Sequence, residues 1–277
     1  MSTASSIRTE IVPQKKLQFP SLMEVWRERE LLLLMMLYSI KSKYRQTTIG
    51  ILWALINPIV SVVVFTFIFS GLAKIDTGDI PYPLFSLAAL LPWQYFQFLI
   101  NETTHSMIRG SHILSKVYVP RLIIILVSVG PGMLNFAIGS LLLVAMLIYF
   151  GHMPPLAFFA SFYFFALGTV LALACGLWLS VINVTYRDIS MIVPMLLQVL
   201  LYATPVVYPA DMVPEQYRFL YWLNPLSVII EGFRASILGQ PLPETLYLFT
   251  SAAITLLVLL PGLLVFNRLA QTTADRF

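Results

Sequence analysis

The chain has 277 residues, 58% of them hydrophobic and only 11% charged, with a formal charge of +4. Soluble domains carry roughly 25% charged residues, so this composition excludes a large soluble domain beside the apolar segments and specifies an integral membrane protein. The single cysteine, Cys175, rules out a disulfide within one chain and sits in an apolar run as a small packing residue.

The opening "MSTASSIRTEIVPQKK" lacks the apolar core and cleavage site of a signal peptide. Residues 1–20 are expected to form a flexible cytoplasmic N-terminus, with insertion directed by the first true span. Next comes "LLLLMMLYSIKSKYRQTTIGILWALINPIV", two apolar blocks split by Lys41, Lys43 and Arg45. A span that included these cations would cost about 2.5–3.5 kcal/mol for each one near its centre. A helix lying on the membrane avoids that cost. Ser21 and Glu24 have capping-box spacing after Pro20, and Leu22, Trp26, Leu33, Leu37, Ile40 and Tyr44 recur near helical spacing. Residues 21–46 therefore read as an interfacial helix, with the cytoplasmic segment ending at 48. Its amphipathicity is imperfect, since 31–38 is apolar all round, and a partly buried hairpin is the alternative.

A span needs roughly 20 apolar residues. Six segments qualify: 49–73, 84–104, 121–149, 155–182, 189–207 and 245–266. They place an all-α transmembrane domain over 49–267 and a cytoplasmic tail at 268–277. The runs are continuous and lack the period-two alternation of a barrel. With both termini inside, 14 cations face the cytoplasm and 3 (Lys74, Arg218 and Arg234) fall outside. That asymmetry obeys the positive-inside rule and explains the basic charge without nucleic acid. The stretch from Val206 to Glu244 is too polar to cross and too apolar for a solvated loop. Asn224-Pro225 divides it into two short pieces, expected to dip into the outer leaflet with their ends buried in protein; an aromatic-anchored surface loop is the alternative.

No catalytic or metal-binding constellation is legible. His105, His112 and His152 lack ligand spacing with one another or with Cys175, no hydrolase or metalloprotease motif occurs, and no Gly-Lys dipeptide exists to build a phosphate-binding loop. None of the six spans carries Asp, Glu, Lys or Arg near its centre. Proton- and ion-coupled carriers usually need such groups, so energy for transport is expected from another subunit.

Five stretches in order, "KYRQTTIGILWALINPI", "PYPLFSLAALLPWQYF", "ILSKVYVPRLIIIL", "LWLSVINVTYRDISMIVPMLLQ" and "TPVVYPADMVPEQYRFLYWLNPLSVIIEGFR", resemble the membrane subunit of ABC-2 exporters of polysaccharides and polyol phosphates. The resemblance runs from about residue 25 and is nearest to the O-antigen type. It implies a multi-pass permease of the bacterial inner membrane, working as a homodimer on two ATPase subunits that hold the ATP and Mg. This chain itself is expected to bind no cofactor. The cargo implied is a glycan on a polyprenyl diphosphate lipid. A small-amphiphile exporter of the same fold and an ATP-independent channel or secondary transporter are the competing readings.

The resemblance also implies roles for residues. Glu24, Glu28, Arg109, His112, Lys116 and Arg121 are candidates for the ATPase-coupling surface, although the cations among them also satisfy the positive-inside rule. Lys41, Lys43 and Arg45 are candidates for the lipid diphosphate or for ordinary anionic lipid. Trp53, Phe65, Trp93, Tyr95, Phe96 and Tyr202 are candidate channel-lining aromatics, with packing as the alternative for each. Tyr217, Tyr221, Trp222, Asn224 and Pro225 are assigned to an external gate.

Overall fold

The computed structural model describes residues 20–45, 49–114 and 119–273. Every regular element among these residues is helical. Two helices precede the first span, α1 (Leu22–Arg27) and α2 (Arg29–Arg45). The Ser21 side chain accepts from Glu24 N at 3.2 Å, which is the cap expected from the sequence. The expected single helix is broken at Glu28, whose backbone leaves the helical region at φ −93°, ψ 24°.

The first apolar segment combines a short 3-10 turn (Gly50–Leu52), α3 (Trp53–Phe65) and a π-helical end (Thr66–Leu72). The long α4 (Tyr82–Leu114) follows, then α5 (Arg121–Leu126) leading into α6 (Val129–Tyr149), α7 (Ala160–Thr185), α8 (Ile189–Ala203), α9 (Glu215–Leu223), α10 (Pro225–Leu238) and α11 (Thr245–Thr273). Among the described residues, five segments have the length and hydropathy to cross a membrane: Gly50–Leu72, Tyr82–Ser111, Arg121–Tyr149, Leu156–Thr185 and Thr245–Arg268. The expected span at 189–207 is a helix of only 15 residues. It stops because Thr204 precedes Pro205, whose ring disfavours helical backbone in the residue before it, and Thr204 is extended at φ −113°, ψ 156°.

α4 and α7 form the centre of the bundle, with α6, α10 and α11 packed around them. The span in α4 is 78% buried, whereas the first span is 11% buried and the last 17%. In a bilayer, helices gain little from burying apolar surface against one another, so close contact relies on small residues and polar glue. Both are present. A Cβ placed on Gly176 of α7 would lie 2.2 Å from Thr103 Oγ1 of α4, and Asn183 Nδ2 donates to Thr104 O across the same pair at 3.0 Å. Trp178 Nε1 donates to Val258 O of α11 at 3.0 Å. Hydroxyls inside the helices, such as Thr104 and Thr255, bond back to carbonyls one turn earlier, so they need no partner in lipid.

α10 departs most from the sequence expectation. Asn224 caps it, accepting from Leu226 N at 3.1 Å, and Pro225 occupies its first turn, a combination suited to starting a helix abruptly. Gly239 ends it in the left-handed region at φ 74°. Every residue from Leu226 to Leu238 is buried, enclosed by α4, α7 and α11. Ile229 meets Gly168 and Gly232 meets Phe164, so α10 runs antiparallel to α7. Its last carbonyl, Leu238 O, is 3.0 Å from His152 Nε2 in the α6–α7 connection. Arg234, read from the sequence as an outer-loop cation, is instead a core residue with no exposed surface.

Candidate functional site

A cavity of about 190 Å³ lies where the C-terminal end of α2 meets α3, α4 and α6. Lys43 extends over the Phe98 ring of α4, with Nζ 3.8 Å from the centroid. Much of the Lys43 side chain remains exposed, while its ammonium end reaches the desolvated mouth of the cavity. Burial therefore lowers its pKa; Glu102 opposes the shift, and Arg109 adds to it. The neighbouring Tyr44 donates its hydroxyl hydrogen bond to Asn135 of α6. Burial raises the Tyr44 pKa and the Asn135 bond works against that shift.

The cavity wall alternates aromatic faces with amides: Trp53 and Asn57 from α3, Gln94 and Tyr95 from α4, and Phe136 from α6. Gln94 Nε2 donates to Ser61 Oγ at 3.3 Å, and that hydroxyl donates to Asn57 O at 2.8 Å. This polar seam joins α3 to α4. Behind it, Tyr95, Phe136, Phe165 and Phe233 form a continuous cluster of tilted and edge-on rings with centroid spacings of 4.3 to 5.8 Å. The cluster leads from the cavity to α10. Aromatic side chains and neutral amides with one cation at the mouth suit a ligand that has an anionic end and an uncharged, hydroxylated body.

The residues singled out from the sequence fall into different places. Lys43, Trp53 and Tyr95 share the cavity, while Lys41 and Arg45 are exposed on α2 outside it. Trp93 and Phe96 are packed in the core at 2% and 5% exposure. Phe65 is half-buried against Phe69, and Tyr202 on α8 is exposed. Glu24 and Glu28 are exposed on and just after α1. Arg109 turns back along α4 to pair with Glu102 at 2.8 Å, and Arg121 begins α5. Lys116 and the side chain of His112 lie outside the described residues, as do 1–19 and 274–277. Around α10, Tyr217 is exposed, Tyr221 is buried, and Trp222 stacks on Tyr247 at 5.3 Å with the rings 16° apart.

Sequence reasoning passed over Asn57, Gln94 and Asn135, single amides in apolar runs. Amides at such positions are expensive unless they face a partner or a cavity, and that was the available signal. It also passed over the Glu231–Arg234 pair inside α10, whose three-residue spacing in an apolar helix marks a local ion pair.

The chain matches the family model of the ABC-2 type transporter over residues 30–238, and it belongs to that family. It is similar to the O-antigen export system permease protein RfbA of Klebsiella pneumoniae, 28% identical over 85% of this chain and 90% of the relative. Its similarity to the protein of the same name from Myxococcus xanthus is 26% over 91% and 97%. With the polysialic acid transport protein KpsM of Escherichia coli it shares 23% identity over 83% and 90%. Family membership and the apolar helices make it a multi-pass inner-membrane protein.

Proposed function

We propose that this chain is the permease subunit of an ATP-driven exporter that carries a lipid-linked polysaccharide out of the cytoplasm. The observation that carries this reading is the cavity beneath α2, with one partly buried cation at its mouth and aromatic and amide groups behind. Lys43 supplies charge for a diphosphate headgroup at the membrane surface. Trp53, exposed at 51%, offers a face for a sugar ring, and Asn57, Gln94 and Asn135 offer hydrogen bonds without adding charge. The permease names of the relatives support the same cargo class.

In this reading the two termini are cytoplasmic and α2 lies at the inner surface. α8 completes a sixth crossing together with the buried turn that follows it. Fifteen helical residues cover only about 22 Å, and the turn at 204–207, all buried, continues the crossing inside the protein. α9 and α10 then form a re-entrant gate on the outer side. The subunit works as a homodimer. A separate ATPase bears on α1 and the end of α4, and its closure shifts the bundle between two states.

Deletion of the gene tests the reading. The expected outcome is loss of surface polysaccharide with accumulation of its lipid-linked form inside, and co-purification of an ATPase with the tagged chain. Surface polysaccharide unchanged by the deletion would overturn it.

A further inference from the structure

A second cavity, of about 280 Å³, opens at the other end of the bundle, where α4 begins. Its floor is α10, its sides are the α8–α9 connection and the residues ahead of α11, and Phe85 closes it from α4. One wall is the stacked pair Trp222 and Tyr247. The opposing groups are polar: the carboxylates of Asp211, Glu231 and Glu244, the Gln240 amide and the Arg234 guanidinium.

These groups do not all satisfy one another. Arg234 donates from its two terminal nitrogens to Pro205 O at 3.0 Å and to Glu231, but its Nε–H is buried with no partner. The Tyr221 hydroxyl beside this cluster is likewise buried and unpartnered. A buried donor without an acceptor costs about 1–3 kcal/mol, but both donors are sealed from solvent, so the groups left to meet an occupant are the carboxylates, the amide and the rings that line the cavity.

The chemistry narrows the occupant. Three carboxylates against one guanidinium, itself paired with Glu231, repel an anion. No three acidic, His or Cys residues among those described are placed to hold a metal ion. An apolar molecule would leave the lining carboxylates and the Gln240 amide without partners. A neutral ring with hydroxyls that both donate and accept, and with a flat C–H face for an aromatic wall, meets every requirement.

We propose that this cavity is a binding subsite for one neutral pyranose unit. The exported glycan is the source to which the inference commits, and to that extent it rests on the export function proposed above. In the orientation proposed above the cavity lies toward the outer face, where it would meet the chain as it leaves. Binding at this point opposes the return of the chain between transport steps.

The test uses the full-length protein in lipid nanodiscs and an oligosaccharide released by mild acid from the producing cells' own polysaccharide. Saturable binding is expected. Trp222→Leu and Tyr247→Leu should each weaken it roughly tenfold, the loss expected when an anchoring aromatic is removed from a contact. Glu244→Gln, an exposed position with little bearing on folding, should weaken it severalfold and so keeps the test valid if an aromatic variant fails to fold. Pyrophosphate should not compete. Absence of saturable binding, competition by pyrophosphate, or binding undiminished in the folded variants overturns the subsite. The gene deletion separates the two claims: loss of surface polysaccharide without sugar binding here removes the subsite alone, and unchanged surface polysaccharide removes the export function.

Discussion

Arg234 reaches back one turn along α10 to pair with Glu231, and its guanidinium carbon lies 3.9 Å from the centroid of the Phe85 ring of α4. Glu231 uses its other oxygen to accept from Ala210 N at 3.1 Å. The pair thus ties α10 to α4 and to the chain leaving α8. Removing one member of a buried pair leaves an uncompensated charge and costs about 3–5 kcal/mol. Arg234→Met should therefore lower the melting temperature of the detergent-solubilised protein sharply. Adding Glu231→Gln to it should recover much of the loss, because no bare charge then remains. A double variant no more stable than Arg234→Met would show that hydrogen bonds to Pro205, and not charge balance, dominate.

Glycines set how closely the helices approach. A Cβ on Gly232 would sit 2.1 Å from the ring of Phe164, and the ring has no room to retreat because Phe164 is 1% exposed. Gly232→Ala should destabilise by about 1–3 kcal/mol through overpacking. Pairing it with Phe164→Leu should relieve part of that loss. Gly71→Ala is the control, since its Cβ meets only Thr66 O at 3.9 Å, and the change should fall within about ±0.5 kcal/mol. Melting curves of the variants in one detergent supply the comparison.

The apolar runs and their lengths made five candidate spans readable, four to within a few residues and the one in α4 seven residues short at its C-terminal end, and Asn224-Pro225 marked the start of α10. What was not readable depends on tertiary enclosure. Trp93 and Phe96 look like channel aromatics in a linear reading, yet α4 is the central helix and buries most of its circumference. Glu231 and Arg234 look like loop charges until α10 is enclosed by three other helices. Asn135 gains meaning only when Tyr44, 91 residues away in the chain, is brought beside it. Lys43 was legible as a cation near the surface, but its place over Phe98 was not, because that pairing depends on how α2 docks.

The Tyr44–Asn135 hydrogen bond is a side-chain tether between α2 and α6, which also approach closely where Met36 meets Gly130. Tyr44→Phe keeps the ring and removes the donor, at a cost of about 1 kcal/mol. The expected result is faster amide hydrogen exchange over residues 29–45, with exchange in α4 and α7 unchanged. Equal acceleration throughout the bundle would mean that the bond supports the whole fold and does not selectively hold α2.

Lys43 gives the protein a pH dependence with a definite sign. Its folded-state pKa lies below the ordinary 10.5, chiefly because burial penalises the charged ammonium, with Arg109 acting in the same direction and Glu102 against it. Below the lowered value, both folded and unfolded chains hold the proton and the penalty is fully present. Between that value and 10.5 the unfolded chain binds more protons, so stability rises with pH. Above 10.5 the contribution is flat. The melting temperature should therefore climb through this alkaline window in the unaltered protein, after subtraction of the background slope measured in Lys43→Met. Glu102→Gln removes the carboxylate that opposes the shift, so it should move the rise to lower pH. A rise of the same size in Lys43→Met would assign the dependence to another group.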